Sequence, residues 1–145
     1  VQNKSKINIK VLGLDEIKEA ANLLDLKTYK AWCTYDGLDE DGKKKFTVVL
    51  DIKRINSRAK KPQIRLKNIL IDLGHELVHV KQYLNNEIFD YKNGDVRYKG
   101  LIFDASHYMD EEKYFDSPWE VEAYGRELGL YVLFCRNLKK ERSGK

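Results

Sequence analysis

Two of the three histidines in this 145-residue chain fall within five residues, His75-Glu76-Leu77-Val78-His79. Four residues is slightly more than one helical turn, so on a helix both imidazoles leave the same face and can share one metal ion. Neutral imidazole is a common nitrogen ligand for zinc. Glu76 stands beside the first histidine. From there it can take a proton from metal-bound water without itself being a ligand, which is what a metal-assisted hydrolase needs. The bland alternative is two helix-surface histidines next to an unrelated glutamate. By composition alone the five-residue pattern should arise in well under ~1% of chains of this size.

A catalytic zinc usually takes three protein ligands and a water, so two histidines leave one place to fill. The candidates are Glu120, Glu122, His107 and Asp116. On a helix, Glu120 shares a stripe with Ala123, Tyr124, Glu127, Leu130, Tyr131 and Phe134, a largely apolar face that should point inward. Glu122 shares its face with Arg126, Gly129, Leu133 and Arg136 and makes a natural i, i+4 surface pair with Arg126. An inward carboxylate needs a partner, and a metal is a good one. Ser117-Pro118-Trp119-Glu120 also fits a capping box, in which Glu120 would merely bond back to Ser117. Beside the histidine pair the ligand role is the better reading of Glu120, with His107 next in line.

The elements that must position these residues are read from periodicity and turn chemistry. Gln63 to about Asn85 reads as one long helix, with Leu66, Ile69, Leu70, Leu73, Leu77, Val80 and Leu84 at spacings of three and four. Gly74 inside it suggests close backbone packing, since glycine costs a helix about 1 kcal/mol. A last helix begins at Ser117 with Pro118 in its first turn and runs to about Leu138. Upstream, Ile7 to Leu12 reads as a short strand, Asp15 to about Leu26 as a helix, and Thr28 to Tyr35 as a strand. Asp36 to Lys45 is a turn, and Phe46 to Ile52 is the strongest strand signal. Glu87 to Tyr98 reads as a hairpin around Asn93-Gly94, and Leu101 to Asp116 as irregular. One α+β domain over residues 1–145 is expected: a small, mostly antiparallel sheet packed on the histidine-bearing helix and the C-terminal helix.

The histidine motif, followed by Pro118-Trp119-Glu120-Val121-Glu122-Ala123-Tyr124, resembles the gluzincin branch of the metallopeptidases. The metzincin extension would need Gly at 82 and His at 85, where this chain has Gln82 and Asn85. More narrowly, the pattern is similar to small His-Glu-x-x-His proteins encoded by phages and prophages. The resemblance spans roughly Ile64 to Leu133. It implies a zincin-like minimal fold, Zn²⁺ held by His75, His79 and Glu120, and Glu76 as general base in peptide-bond hydrolysis. Tyr124 stands where many members of the branch have Asp or Asn. In that branch an edge strand beside the site binds substrate by strand addition, and Phe46 to Ile52 is the candidate here. Tyr108, Tyr114 and Tyr124 are candidates for stabilising the oxyanion; spacing favours none.

Composition bounds the rest. The chain is 17.0 kDa with 42% hydrophobic and 34% charged residues, enough for one packed core. Cys33 and Cys135 are too few for a disulfide framework and read as buried thiols in a reduced compartment. The chain starts at Val1, and an upstream segment is expected to have been removed. No leader peptide or membrane span is visible, so a cytoplasmic or virion-associated protein with a peptide or protein substrate is expected. The net charge of +4 is uneven: 16 Lys/Arg against 10 Asp/Glu up to Asp72, then 11 against 13. Most of the excess lies in Lys53, Arg54, Arg58, Lys60, Lys61, Arg65 and Lys67. A solvated loop explains that run better than a nucleic-acid surface does. Two other readings stand beside the peptidase: a zinc-containing module that does not cleave, for example in a virus particle, and a nucleic-acid-associated protein using the 53–67 run.

Overall fold

In the computed structural model, residues 5–11 and 30–144 are described. The helix expected over Asp15 to Leu26, and Thr28 at the start of the next strand, lie outside them. A three-stranded sheet is built from β1 (Lys6–Val11), β2 (Ala31–Leu38) and β3 (Lys44–Leu50). Its order is β1-β3-β2, with β1 parallel and β2 antiparallel to β3. The run Phe46-Thr47-Val48-Val49-Leu50 carries apolar side chains on both sides of the pleat, as a strand covered on both faces needs, and pairing with β1 and β2 puts it in the middle. Phe46, Val48 and Leu50 are buried on one face; Val49 and its cross-strand partner Trp32 are buried on the other. This corrects the expectation that residues 46–52 form the substrate-binding edge. β3 is paired on both sides, and the strand ends at Leu50 because Asp51 caps a short helix, α1 (Ile52–Ile55), by accepting from Arg54 N at 2.9 Å.

The long helix, α2 (Pro62–Leu84), starts one residue before its expected position, with Pro62 in the first turn, where its missing N–H costs nothing. Ile69, Leu73, Leu77, Val80 and Leu84 pack onto Phe46, Val48 and Leu50 and form the main core. The face of α2 that carries Asp72, Glu76 and His79 is turned elsewhere, as the helical period requires.

A second sheet, β4 (Ile88–Asp90), β5 (Val96–Tyr98) and β6 (Leu101–Phe103), follows in antiparallel order. In the Asn93-Gly94 turn only Gly94 takes positive φ, at 90°, so the hairpin closes through a longer loop than the two-residue type. The two-residue turn is at Lys99 and Gly100, both at positive φ (47° and 86°), and it generates β6 where the sequence reads as irregular. Two short helices, α3 (Ser106–Met109) and α4 (Glu111–Asp116), occupy the rest of that segment.

The last helix, α5 (Pro118–Ser143), runs beyond the expected end at Leu138 and lies antiparallel along α2. Ser117 does not cap it through its side chain; its Oγ donates instead to Lys113 O at 2.8 Å. The expected inward stripe is inward only at the start: Glu120 and Ala123 are buried, whereas Tyr124, Leu130 and Phe134 are exposed. A Cβ on Gly74 would meet Leu130 Cβ at 3.6 Å and Glu127 O at 3.7 Å. The helices do approach there, but a methyl group fits in ordinary contact. Gly74→Ala should therefore stabilise the protein by about 0.5–1 kcal/mol through lower unfolded-chain entropy, read as a higher urea midpoint. Cys33 and Cys135 are free and half-buried, not fully enclosed. Among the described residues no helix is long and apolar enough to cross a membrane.

Candidate metal centre

α2 carries His75 and His79 one turn apart, and α5 brings Glu120 to them in its first turn. His75 Nε2 lies 3.2 Å from Glu120 Oε2, and His79 Nε2 lies 3.4 Å from Glu120 Oε1. Ligand atoms at 2.0–2.1 Å around one tetrahedral zinc stand about 3.4 Å apart. Each nitrogen meets a different oxygen of the carboxylate at about that separation, and one ligand atom from each of the three residues lies within 4.8 Å of the others, so the group could hold an ion. Two imidazole nitrogens and one carboxylate are a donor set that suits zinc.

The other ring nitrogens show which way the imidazoles face. His75 Nδ1 is 2.9 Å from Glu127 Oε2; a carboxylate only accepts, so Nδ1 carries the proton. His79 Nδ1 is 3.0 Å from Gln82 Oε1. Gln82 Nε2 donates to Trp119 O at 3.0 Å and to Glu122 Oε2 at 2.9 Å, which orients the amide with its oxygen toward His79. Both Nε2 atoms thereby face the Glu120 carboxylate, the side on which a metal ion could take the place of their protons. Sequence reading did not assign Glu127 and Gln82 these roles. The signals were spacings: Glu127 is two turns from Glu120 on one stripe, and Gln82 is three residues from His79. Glu127 supplies the carboxylate contact to His75 Nδ1. Glu127→Ala should weaken zinc binding about 10–100-fold, the usual cost of losing such an outer partner, as measured by chelator competition.

Charge in the centre follows from these contacts. Burial opposes ionisation of Glu120, but hydrogen bonds from His75 and His79 outweigh it and hold the carboxyl down at about 2. Burial likewise disfavours charge on His79, yet its contact with Glu120 and the nearby Glu76 raise it to about 9; His75 is raised for related reasons. Glu76 is 6% exposed. Burial pushes it up to about 7, with His79 and His75 pulling the other way.

The remaining candidates are placed elsewhere. Glu122 is not a simple surface partner of Arg126, although that pair forms at 3.0 Å. It is largely buried and also accepts from Lys81 at 2.8 Å, Gln82 at 2.9 Å and Tyr98 at 2.8 Å. Burial opposes its charge, but those donors hold it near 2, and its oxygens are fully engaged. His107 sits against Phe103 and Trp119, with Nδ1 3.0 Å from Ser117 Oγ. Asp116 is exposed at the end of α4. Neither belongs to the converging group.

A cleft of about 630 Å³ opens beside the centre, with His75 and Glu76 in its wall. Tyr108, Met109, Tyr114 and Phe115, from α3 and α4, form one side, so the segment read as irregular borders the site. All three candidate tyrosines line it. Tyr124 packs its ring 4.4 Å from that of His75, and burial with nearby Glu120 pushes its hydroxyl up to about 12. Lys30 and Ala31, at the start of β2, form part of the rim. Asp51 N donates to Lys30 O at 2.9 Å, so Lys30 opposite Asp51 is a hydrogen-bonded pair. By antiparallel alternation Ala31 and Cys33 then turn their backbone N–H and C=O groups away from β3. No protein-family model, curated protein or solved structure matches this chain.

Proposed function

We propose that this chain is a zinc-dependent hydrolase of the gluzincin-like type, acting on peptide bonds. One observation carries the reading: His75 Nε2, His79 Nε2 and the Glu120 carboxylate converge within 4.8 Å of one another, and Glu76 lines the adjoining cleft. When bound, zinc supplies a Lewis acid that polarises water and the scissile carbonyl. The rest is done by this chain. His75 and His79 are held in one orientation by Glu127 and Gln82. Glu76 Oε accepts the proton of the attacking water and returns it to the departing amine nitrogen. Among the described residues β2 pairs only with β3, and its other edge would offer Ala31 and Cys33 backbone groups to an extended peptide lying over the cleft, the role expected of residues 46–52.

A non-cleaving zinc module is the less favoured reading, because a structural site has no use for a buried glutamate facing a cleft. The test is hydrolysis of a quenched-fluorescent peptide mixture. Cleavage is expected with zinc, lost with phenanthroline and restored by added zinc. Zinc binding without cleavage of any peptide would overturn the proposal.

A further inference from the structure

We propose that the end of the molecule where α2 begins and α5 finishes docks on an anionic phospholipid surface. The metal centre takes no part in this, so the docking surface and the hydrolase reading stand independently.

The helix pair brings together two basic runs that lie far apart in the sequence. Gln82 Nε2 donates to Trp119 O, His75 Nδ1 to Glu127, and a Cβ on Gly74 would meet Leu130, so α5 climbs as α2 descends. Further along, Lys67 Nζ lies 5.8 Å from the centre of the Tyr131 ring. The helices have 23 and 26 residues, so the last turns of α5 stand level with the first turns of α2. Lys60, Lys61, Arg65 and Lys67 thus share one end of the molecule with Arg136, Lys139, Lys140 and Arg142. The run read from the sequence as a solvated loop is partly helix, and it has a second basic run beside it.

These eight cations are exposed, and among the described residues none is ion-paired with a carboxylate. Lys6, Lys30, Lys81 and Arg126, elsewhere on the molecule, each have such a pair. Residues 59–71 contain no acid, and residues 132–143 contain only Glu141. The first turn of α2 lacks the acidic residue that a helix start favours. Five apolar side chains lie among these cations or within one turn of them: Ile64, Leu66, Val132, Leu133 and Phe134, at 46% to 58% exposure. A solvated loop has no use for them, and a nucleic-acid backbone, which is met by polar and charged groups, gives them nothing to pack on. A phospholipid surface takes both kinds of side chain. Its anionic head groups attract Lys and Arg, and the acyl boundary beneath accepts aliphatic and aromatic groups. A second copy of the chain on this end would set like charges face to face.

The test is co-sedimentation of the full chain, with and without added zinc, with vesicles of phosphatidylcholine alone or with about 30% phosphatidylserine. Binding is expected only to the anionic vesicles, equally in both zinc conditions, and should weaken with added salt. Lys60→Glu with Lys61→Glu, and separately Lys139→Glu with Lys140→Glu, should each lower the partition coefficient about 25-fold or more, since each cation near such a surface contributes about fivefold. Leu133→Ser with Phe134→Ser should lower it as well while leaving the salt dependence in place. Lys43→Glu with Lys92→Glu makes the same charge change in the β2–β3 and β4–β5 turns, near the other end of α2, and should have a much smaller effect. Absence of binding to the anionic vesicles would overturn the proposal, as would an equal loss in the Lys43 and Lys92 variant. Tighter binding of duplex DNA or polyglutamate than of vesicles at the same salt would overturn it too.

Discussion

Replacing Glu120 with alanine is expected to strip the protein of stoichiometric zinc. Elemental analysis should find about one zinc per wild-type chain and little in the variant. Chelator competition should show a loss larger than the roughly 100-fold that an outer partner costs. Glu122→Ala is the informative contrast. It should keep zinc but lose about 2 kcal/mol of stability, because Tyr98 OH and Gln82 Nε2 are left without their buried acceptor. If Glu120→Ala holds zinc as tightly as wild type, the ligand set is wrong.

The pH dependence of the metal-free chain has a definite sign. Glu120 is held at about 2, below its usual value, so its contribution is full above about pH 4.5 and is lost as pH falls through 2. His79 is raised to about 9, so its contribution is full below about pH 6.5 and is lost as pH rises through 9. Added zinc should therefore raise Tm more at pH 9 than at pH 6, where protons still occupy the imidazoles.

Glu76→Gln is expected to lower kcat by about 10²–10⁴-fold while zinc content and fold are unchanged. The amide keeps the shape and removes the base, and Glu76 is not among the converging ligand atoms. Burial holds the Glu76 carboxyl near 7 in the metal-free chain. A bound dication favours its ionised form and moves it down, so the acid limb of kcat/KM against pH should fall below 7. A variant that still cleaves at wild-type rate would remove Glu76 from the chemistry.

What the sequence by itself determined is what depends on short-range spacing. Two histidines four apart in an apolar-periodic stretch place both rings on one face of a helix whatever surrounds them. The positions of α2, β3 and the start of α5 follow equally from local pattern and from Pro62 and Pro118. The pairing of Glu120 with the histidines, 45 and 41 residues away, was legible only because an inward carboxylate at a helix start needs a partner.

The tertiary structure alone decided what depends on which element lies beside which. Whether β3 is an edge or a centre cannot be read from its own residues, because an apolar strand suits any place buried on both faces. β1 and β2 flank it, and among the described residues they, not β3, are the outer strands. Glu122 looked like a surface residue because its helix position faces away from the centre; only the arrival of Lys81, Gln82 and Tyr98 from other elements buries it. Lys99-Gly100 is a weak turn signal, and it became β6 because pairing with β5 compensates the two positive φ angles. Glu127 became a partner of His75 for the same reason, and Gln82 is turned toward His79 by its bonds to Trp119 O and Glu122 of α5. A hydrogen bond between elements depends on how α2 and α5 lie against each other, which no local periodicity encodes.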